Sequence, residues 1–334
     1  MKAYELQPRE GLDSLTLVNR EPEALGPRDV KVRVKAVSLN YRDVVMARGA
    51  KNRKAPLVPL SDGAGEVLDV GTEVTLFRPG QRVAAAFFPT WIDGELAQTH
   101  HDHALGGSLD GMLREEVVLP ETAWVPLPGH LSYEEAATLP CAGVTAFHAL
   151  FHAAHLKPGD TVLVQGTGGV SLFALQLARA AGARVVLTSS SEAKRERALS
   201  LGAAQVLDYK ENPKWGEAVR AFTGGRGVDI AVEVGGPGTF DQSVAALRFG
   251  GTMSLLGVLT GTKGEVNTYA LFHKAIRVVG VYVGSVVLFE ALNRALAASE
   301  IHPVIDTVFG FDEVRGAYEY LASGKHFGKV VITL

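Results

Sequence analysis

Val162-Leu163-Val164-Gln165-Gly166-Thr167-Gly168-Gly169-Val170-Ser171 joins a short continuous apolar run to a glycine-rich turn, and the helical spacing Leu172, Leu175, Leu177, Ala178 follows directly. A run of this kind is a strand buried on both faces, here feeding a helix. Backbone N–H groups at a helix N-terminus attract a pyrophosphate when no side chain blocks its approach. Gly166 permits the tight turn and Gly168 the close approach, with Thr167, Gly169 and Val170 completing the expected nucleotide-contacting turn. The third glycine position of the fingerprint is Ser171, a small residue but a departure.

Downstream, short apolar runs at 184–187, 205–207, 228–234, 252–256 and 277–283 alternate with helical patterns at 192–201 and 215–222. That alternation predicts βαβ units and a doubly wound parallel sheet. An NAD-preferring site carries an acid at the end of the second strand, about 20 residues past the glycines. Here the chain reads Thr188-Ser189-Ser190-Ser191-Glu192-Ala193-Lys194, where hydroxyls and a lysine suit a 2′-phosphate. NADPH is therefore the expected cofactor. The alternative makes Lys194 and Arg195 solvated helix residues and lets Glu192 supply the acid slightly late.

Upstream, Val30 to Val37 alternates apolar and charged residues, the mark of a strand with one wet face. Turn signals at Gly71-Thr72, Pro79-Gly80 and Pro128-Gly129 separate further short segments, which predicts a small barrel or strongly curved sheet. A chain of 334 residues fits two domains, and its net charge of −3 without a basic stripe argues against nucleic acid. The single cysteine, Cys141, excludes an internal disulfide and any multi-cysteine zinc cluster. MKAYELQPRE lacks a signal-peptide core and no apolar stretch is long enough to span a bilayer, so no membrane partner and a cytoplasmic setting are expected.

From its β-rich start to Gly328-Lys329-Val330-Val331, the whole chain resembles the medium-chain dehydrogenase/reductase superfamily, in its zinc-free quinone oxidoreductase branch. The resemblance implies an α/β fold: a discontinuous GroES-like catalytic domain (residues 1–130 and 285–334) and a Rossmann NADP(H)-binding domain (residues 131–284). It places the cofactor in the cleft between them. It implies that Thr145 lies beside the nicotinamide, and that Gly235-Gly236, Gly257-Val258 and Lys329 contact the nucleotide. Ser190, Lys194 and Tyr209 match positions that bind the 2′-phosphate, with Ser189 beside them. Zinc members carry their catalytic metal on a Cys, a His-Glu pair and a second Cys. Here those positions read Asn40, Ser61-Asp62 and Cys141, and one soft ligand cannot build such a site, so no zinc is expected.

Without a metal, the acceptor must be held close and its developing oxyanion stabilised by the protein. Asn40 and Tyr41 are the candidate donors, within Leu39-Asn40-Tyr41-Arg42-Asp43-Val44; Asn40 as a helix cap and Tyr41 as a packing residue are the alternatives. Asp43 matches a family position near the cofactor, where a catalytic and a structural role are equally open. A quinone or an α,β-unsaturated carbonyl suits metal-free hydride transfer better than a simple alcohol. The same string resembles enoyl reductase modules, and a non-catalytic NADPH-binding protein is the alternative of another class. Tyr41, Phe87, Trp91, Tyr269, Tyr282 and Phe327 are candidate wall residues for the small-molecule substrate, or simply core. His100, His101 and His103 sit in a polar, glycine-rich stretch that predicts an exposed loop rather than a metal site. The resemblance implies a homodimer, paired through the edge strand of the parallel sheet.

Overall fold

The computed structural model describes residues 1–334. Alternation in the first third produces strands β1 (Lys2–Leu6), β2 (Leu15–Asn19), β3 (Asp29–Leu39), β4 (Asp62–Val70), β5 (Arg82–Ala85), β6 (Glu116–Pro120) and β7 (Trp124–Pro126). β1 and β2 form a separate antiparallel pair. The C-terminal strands β14 (Ile305–Gly310) and β15 (Lys329–Thr333) return to the larger sheet, whose order is β14-β15-β3-β4-β5-β7, with β6 also paired to β3. Every pairing there is antiparallel except β14 with β15. This is the GroES-like unit. Its core gathers Val30, Val32, Val34 and Val37 of β3 with Val330, Ile332 and Tyr318, so the two ends of the chain share one interior.

The parallel sheet is built from β8 (Thr161–Gln165), β9 (Arg184–Thr188), β10 (Gln205–Leu207), β11 (Val228–Glu233), β12 (Leu247–Leu255) and β13 (Arg277–Gly280). Its order, β10-β9-β8-β11-β12-β13, reverses at β8, and all its pairs are parallel. β8 and β11 are buried at every position, their apolar centres at 162–164 and 230–232 covered on both faces and their polar residues confined toward the strand ends. This is the Rossmann-like unit. The expected strand at 277–283 is shorter: it ends at Gly280, and Val283 takes a left-handed backbone (φ 55°) that a β-branched residue cannot carry within a strand.

The chain divides into Met1–Val144 with Val283–Leu334, and Thr145–Tyr282. The first break thus falls 14 residues later than the expected one at 130/131, and side-chain contacts explain it. Arg82 donates to the Leu131 carbonyl and lies 4.7 Å over the Tyr133 ring. Glu135 meets His302 at 2.7 Å, and the Cys141 N–H donates to Asp62 at 3.2 Å. No helix is long and apolar enough to cross a membrane.

Candidate active site

Helix α1 (Tyr41–Arg48) leaves the end of β3, and Asn40 stands at its N-cap. Asp43 Oδ2 accepts the Asn40 backbone N–H at 2.7 Å, which fixes the entry into the helix. The Asn40 side chain turns elsewhere. Its Oδ1 accepts from Lys329 Nζ at 2.6 Å, and the same ammonium donates to the Leu39 carbonyl at 2.7 Å. Lys329 Nζ lies 3.9 Å from Asp62 Oδ2, the two side chains being 3% and 0% exposed. Ser61 donates to Asp62 Oδ1 at 2.7 Å. A buried ammonium needs this degree of pairing, and these residues satisfy one another across nearly 300 positions of chain.

Burial raises the Asp62 carboxyl, while Lys329, the nearby Asn40 side chain and the Ser61 hydroxyl oppose the rise. The Asn40 amide lies close enough to Asp62 to favour its anion, yet Asn40 Nδ2 is buried with no acceptor in hydrogen-bonding geometry. With Oδ1 held by a cation, the amide cannot flip, so its N–H donors are what it offers. Asp43 Oδ1 and the Tyr318 hydroxyl are also buried without partners.

Burial pushes the Asp43 carboxyl from 3.8 up to about 6, against the pull of Arg42 and the Asn40 N–H. Between these two values the native chain holds a proton that the unfolded chain has lost, so stability falls as pH rises through this window and stays lower above it. Asp43→Asn removes that segment of the profile, on the order of 3 kcal/mol. Denaturant midpoints across the window check it; an unchanged slope in the variant assigns the pH dependence elsewhere.

The positions where zinc members carry ligands do not fit a metal. Asn40 and Asp62 already share the Lys329 ammonium. No three His, Cys, Asp or Glu side chains converge as ligands anywhere in the chain. Burial, with Asp62 beside it, raises the Cys141 thiol far above its ordinary value, which favours an inert thiol over a thiolate. His100 stacks on Trp91 (6.2 Å between rings, 8° between planes) within the short helix Gln98–His101, and His103 Nδ1 meets the Thr99 carbonyl at 2.6 Å.

Other expected residues take distinct places. Tyr41 is 45% exposed at the start of α1. Arg42 donates to the Leu105 carbonyl and lies 4.5 Å over the Phe87 ring. Phe87, Trp91 and Phe327 are buried core residues, whereas Tyr269 and Tyr282 are exposed on the Rossmann-like unit. Lys329, expected at the nucleotide, has its ammonium committed within the GroES-like unit.

In the Rossmann-like unit, Gly166 adopts φ 69°, and Gly168 caps the helix Gly169–Ala180. A Cβ at Gly166 or Gly168 meets nothing within 4 Å, so an open approach lies before the N–H groups of that helix. These residues fit a pyrophosphate. Ser171 explains its departure from glycine: it is buried, and its hydroxyl donates to the Gln165 carbonyl at 2.7 Å while helix and strand pack closely. Thr145 and Thr167 are buried, each 6% exposed, and Val170 lies half-buried in the first turn. Beyond β9, Ser190 donates to the exposed Tyr209 hydroxyl at 3.2 Å, and Ser191 accepts the Lys194 N–H. Ser189 is buried, its hydroxyl accepting the Ser191 N–H, and Arg195 is no solvated residue but pairs with Asp208 at 2.5 Å.

Sequence reasoning missed Glu233. It is fully buried at the end of β11 and accepts from Gly235 and Gly236 N–H at 2.8 and 2.9 Å, from Gln165 at 2.6 Å, and from Thr239 and Ser243. It shapes the Gly235-Gly236 turn; the signal was a carboxylate at the end of a buried strand, directly before the glycine pair. At Gly257 a Cβ would stand 2.0 Å from the Val234 carbonyl, so strand-end packing alone requires glycine there, while Val258 beside it is 49% exposed.

Comparison with known proteins gives two domain matches: an alcohol dehydrogenase GroES-like domain over residues 26–129 and a zinc-binding dehydrogenase domain over residues 169–300. A zinc-type alcohol dehydrogenase-like protein of Schizosaccharomyces pombe is 43% identical, covering 97% of this chain and 96% of its own. An acryloyl-coenzyme A reductase of Metallosphaera sedula is 30% identical over 91% of this chain and 92% of its own. The crystal structure of an NAD-dependent alcohol dehydrogenase superposes with a TM-score of 0.91 at 31% identity, covering 100% of both chains.

Proposed function

Because the chain belongs to the medium-chain dehydrogenase/reductase superfamily, we propose that it is a zinc-independent, NADPH-dependent oxidoreductase acting on a quinone or an α,β-unsaturated carbonyl. The observation that carries this reading is the Asn40 amide, its oxygen held by Lys329 and its Nδ2, beside Asp62, without an acceptor in hydrogen-bonding geometry. Bound NADPH supplies a hydride equivalent from its nicotinamide ring. The Gly166–Gly169 turn anchors the pyrophosphate, and Ser190, Lys194 and Tyr209 receive the 2′-phosphate. Asn40 donates to the carbonyl oxygen of the acceptor as negative charge gathers on it, a task that elsewhere falls to a metal. Tyr41, exposed beside it, closes on the acceptor ring or chain. Lys329 and Asp62 act through Asn40, as positioning residues.

A conjugated acceptor is favoured because its conjugation already makes it electrophilic, and nothing at the site acidifies a simple alcohol. The acryloyl-coenzyme A reductase among the relatives supports an enoyl thioester as the particular carbonyl class. Purified protein should oxidise NADPH in preference to NADH with 1,4-benzoquinone or a 2-alkenal, and pretreatment with a chelator should leave the rate unchanged. Loss of turnover on chelation contradicts the zinc-independent reading, and tight NADPH binding without turnover of either acceptor supports a binding protein instead.

The same reading extends to a homodimer. The edge strand β13 leaves Val278 exposed, and Phe249, Tyr269 and Phe272 form an exposed aromatic group around His273. An uncovered edge with apolar side chains invites pairing. Light scattering should give a dimer mass, and Val278→Arg should shift it to monomer; a monomeric parent protein removes the proposal.

A further inference from the structure

A concavity of about 660 Å³ lies in the GroES-like unit at the far end of α1, lined by Gly49, Arg53, Lys54, Leu57, Ser108 and Asp110 among others. Its charge is unbalanced. Asp110, the acidic side chain in its wall, is fully used: Oδ1 accepts the Val58 N–H at 2.8 Å and Oδ2 accepts from Arg20 at 2.5 Å. Lys51 at the margin pairs with Glu10 at 3.0 Å. Arg53, by contrast, makes one long bond, to the Gly107 carbonyl at 3.3 Å, and its Nε is buried with no partner. Lys54 is exposed and unpaired. The half-buried Arg53 guanidinium, its Nη2 weakly held and its Nη1 uncommitted, lies beside a second cation, an arrangement suited to phosphate oxygens.

Its position sets the length of the ligand. The eight residues of α1 separate the concavity from Asn40, a rise of about 12 Å along the helix. A quinone or short alkenal held at Asn40 cannot span that distance, whereas a pantetheine arm can.

We propose that this concavity is the phosphate subsite for the carrier portion of the acceptor, so that the physiological acceptor is an enoyl thioester of coenzyme A. The inference rests on the reductase reading and narrows its substrate class. Burial lowers the Arg53 guanidinium, with Asp110 only partly offsetting it, and a bound phosphate relieves that cost.

The test is calorimetric titration of coenzyme A into the intact protein and into the Arg53→Ala/Lys54→Ala variant, with inorganic phosphate as a second titrant. The double variant should lose at least about tenfold in coenzyme A affinity, and the difference should shrink as salt is added. In steady state the KM for crotonyl-coenzyme A should rise about tenfold, with kcat and the KM values for NADPH and for the phosphate-free crotonyl N-acetylcysteamine thioester unchanged within about twofold. Arg53→Lys should retain part of the affinity. Equal coenzyme A binding by parent and double variant overturns the proposal, as does loss confined to NADPH. Phosphate binding as tight as coenzyme A reduces the site to a free-anion site and overturns it too. If the parent fails to bind coenzyme A but turns over the phosphate-free thioester, the subsite is wrong and the reductase stands; if it binds coenzyme A but reduces neither thioester, the reductase reading is what fails.

Discussion

Asn40→Asp lowers kcat for a conjugated acceptor by about 10²-fold or more while KM stays within a few-fold. The substitution keeps the shape of the side chain and leaves one oxygen for Lys329 Nζ, now 2.6 Å from Asn40 Oδ1. What it removes is the other half of the amide. Nδ2 is a buried donor beside Asp62 with no acceptor in hydrogen-bonding geometry, and an aspartate oxygen in its place repels the charge that forms on the acceptor. An interaction realised only as charge develops appears in kcat, not in ground-state binding. The comparison to make is steady-state kinetics of parent and variant with saturating NADPH, alongside NADPH affinity, which should not move. If kcat is unaffected, Asn40 is a helix cap that Lys329 happens to hold, and the oxyanion donor must be sought at Tyr41.

Gly168→Val abolishes useful NADPH binding, with a loss of at least about 10²-fold in affinity, and leaves the fold intact. Both halves of that statement come from the same geometry. Gly168 has φ −76° and ψ 177°, a conformation valine adopts freely, and no protein atom lies within 4 Å of the added Cβ. The isopropyl group therefore meets no protein at its base and stands where the pyrophosphate must approach the N–H groups of the helix. Gly257→Val is the instructive contrast. Its Cβ would fall 2.0 Å from the Val234 carbonyl, so that variant loses binding by losing structure. Fluorescence titration of NADPH together with a melting curve separates the two. A Gly168→Val protein that melts normally and binds NADPH as the parent does would place the nucleotide elsewhere.

These two residues also mark how far the sequence can be read. The turn at Gly168 was legible because its signal is local: strand, turn and helix follow one another within about ten residues, and each element carries its own pattern. The parallel sheet and the curved N-terminal sheet were legible for the same reason. Asn40 could be flagged only by its neighbours and by the resemblance they carry. Its orientation depends on Lys329 and Asp62, and no periodicity links positions 40, 62 and 329. Antiparallel pairing of β3 with both β15 and β4 brings them together. Lys329 was expected at the nucleotide, yet a buried ammonium takes the nearest fixed acceptors, which here are Leu39 and Asn40. Glu233 escaped notice because burial at the end of an apolar strand is where a carboxylate is least expected; only the turn it organises explains it. The division at Val144/Thr145 was displaced for a similar reason, since Arg82, Asp62 and His302 bind residues 131–141 from distant parts of the chain.

Hydride transfer to a conjugated carbonyl without zinc can be followed by isotope. Metal-depleted protein, with its zinc content verified, should be given NADPH deuterated at nicotinamide C4 and a 2-alkenal, and the product examined by mass spectrometry and NMR. One deuterium is expected at the β-carbon of the saturated aldehyde, at a rate that added zinc does not raise. Deuterium at the carbonyl carbon, or transfer that appears only when zinc is restored, would contradict it.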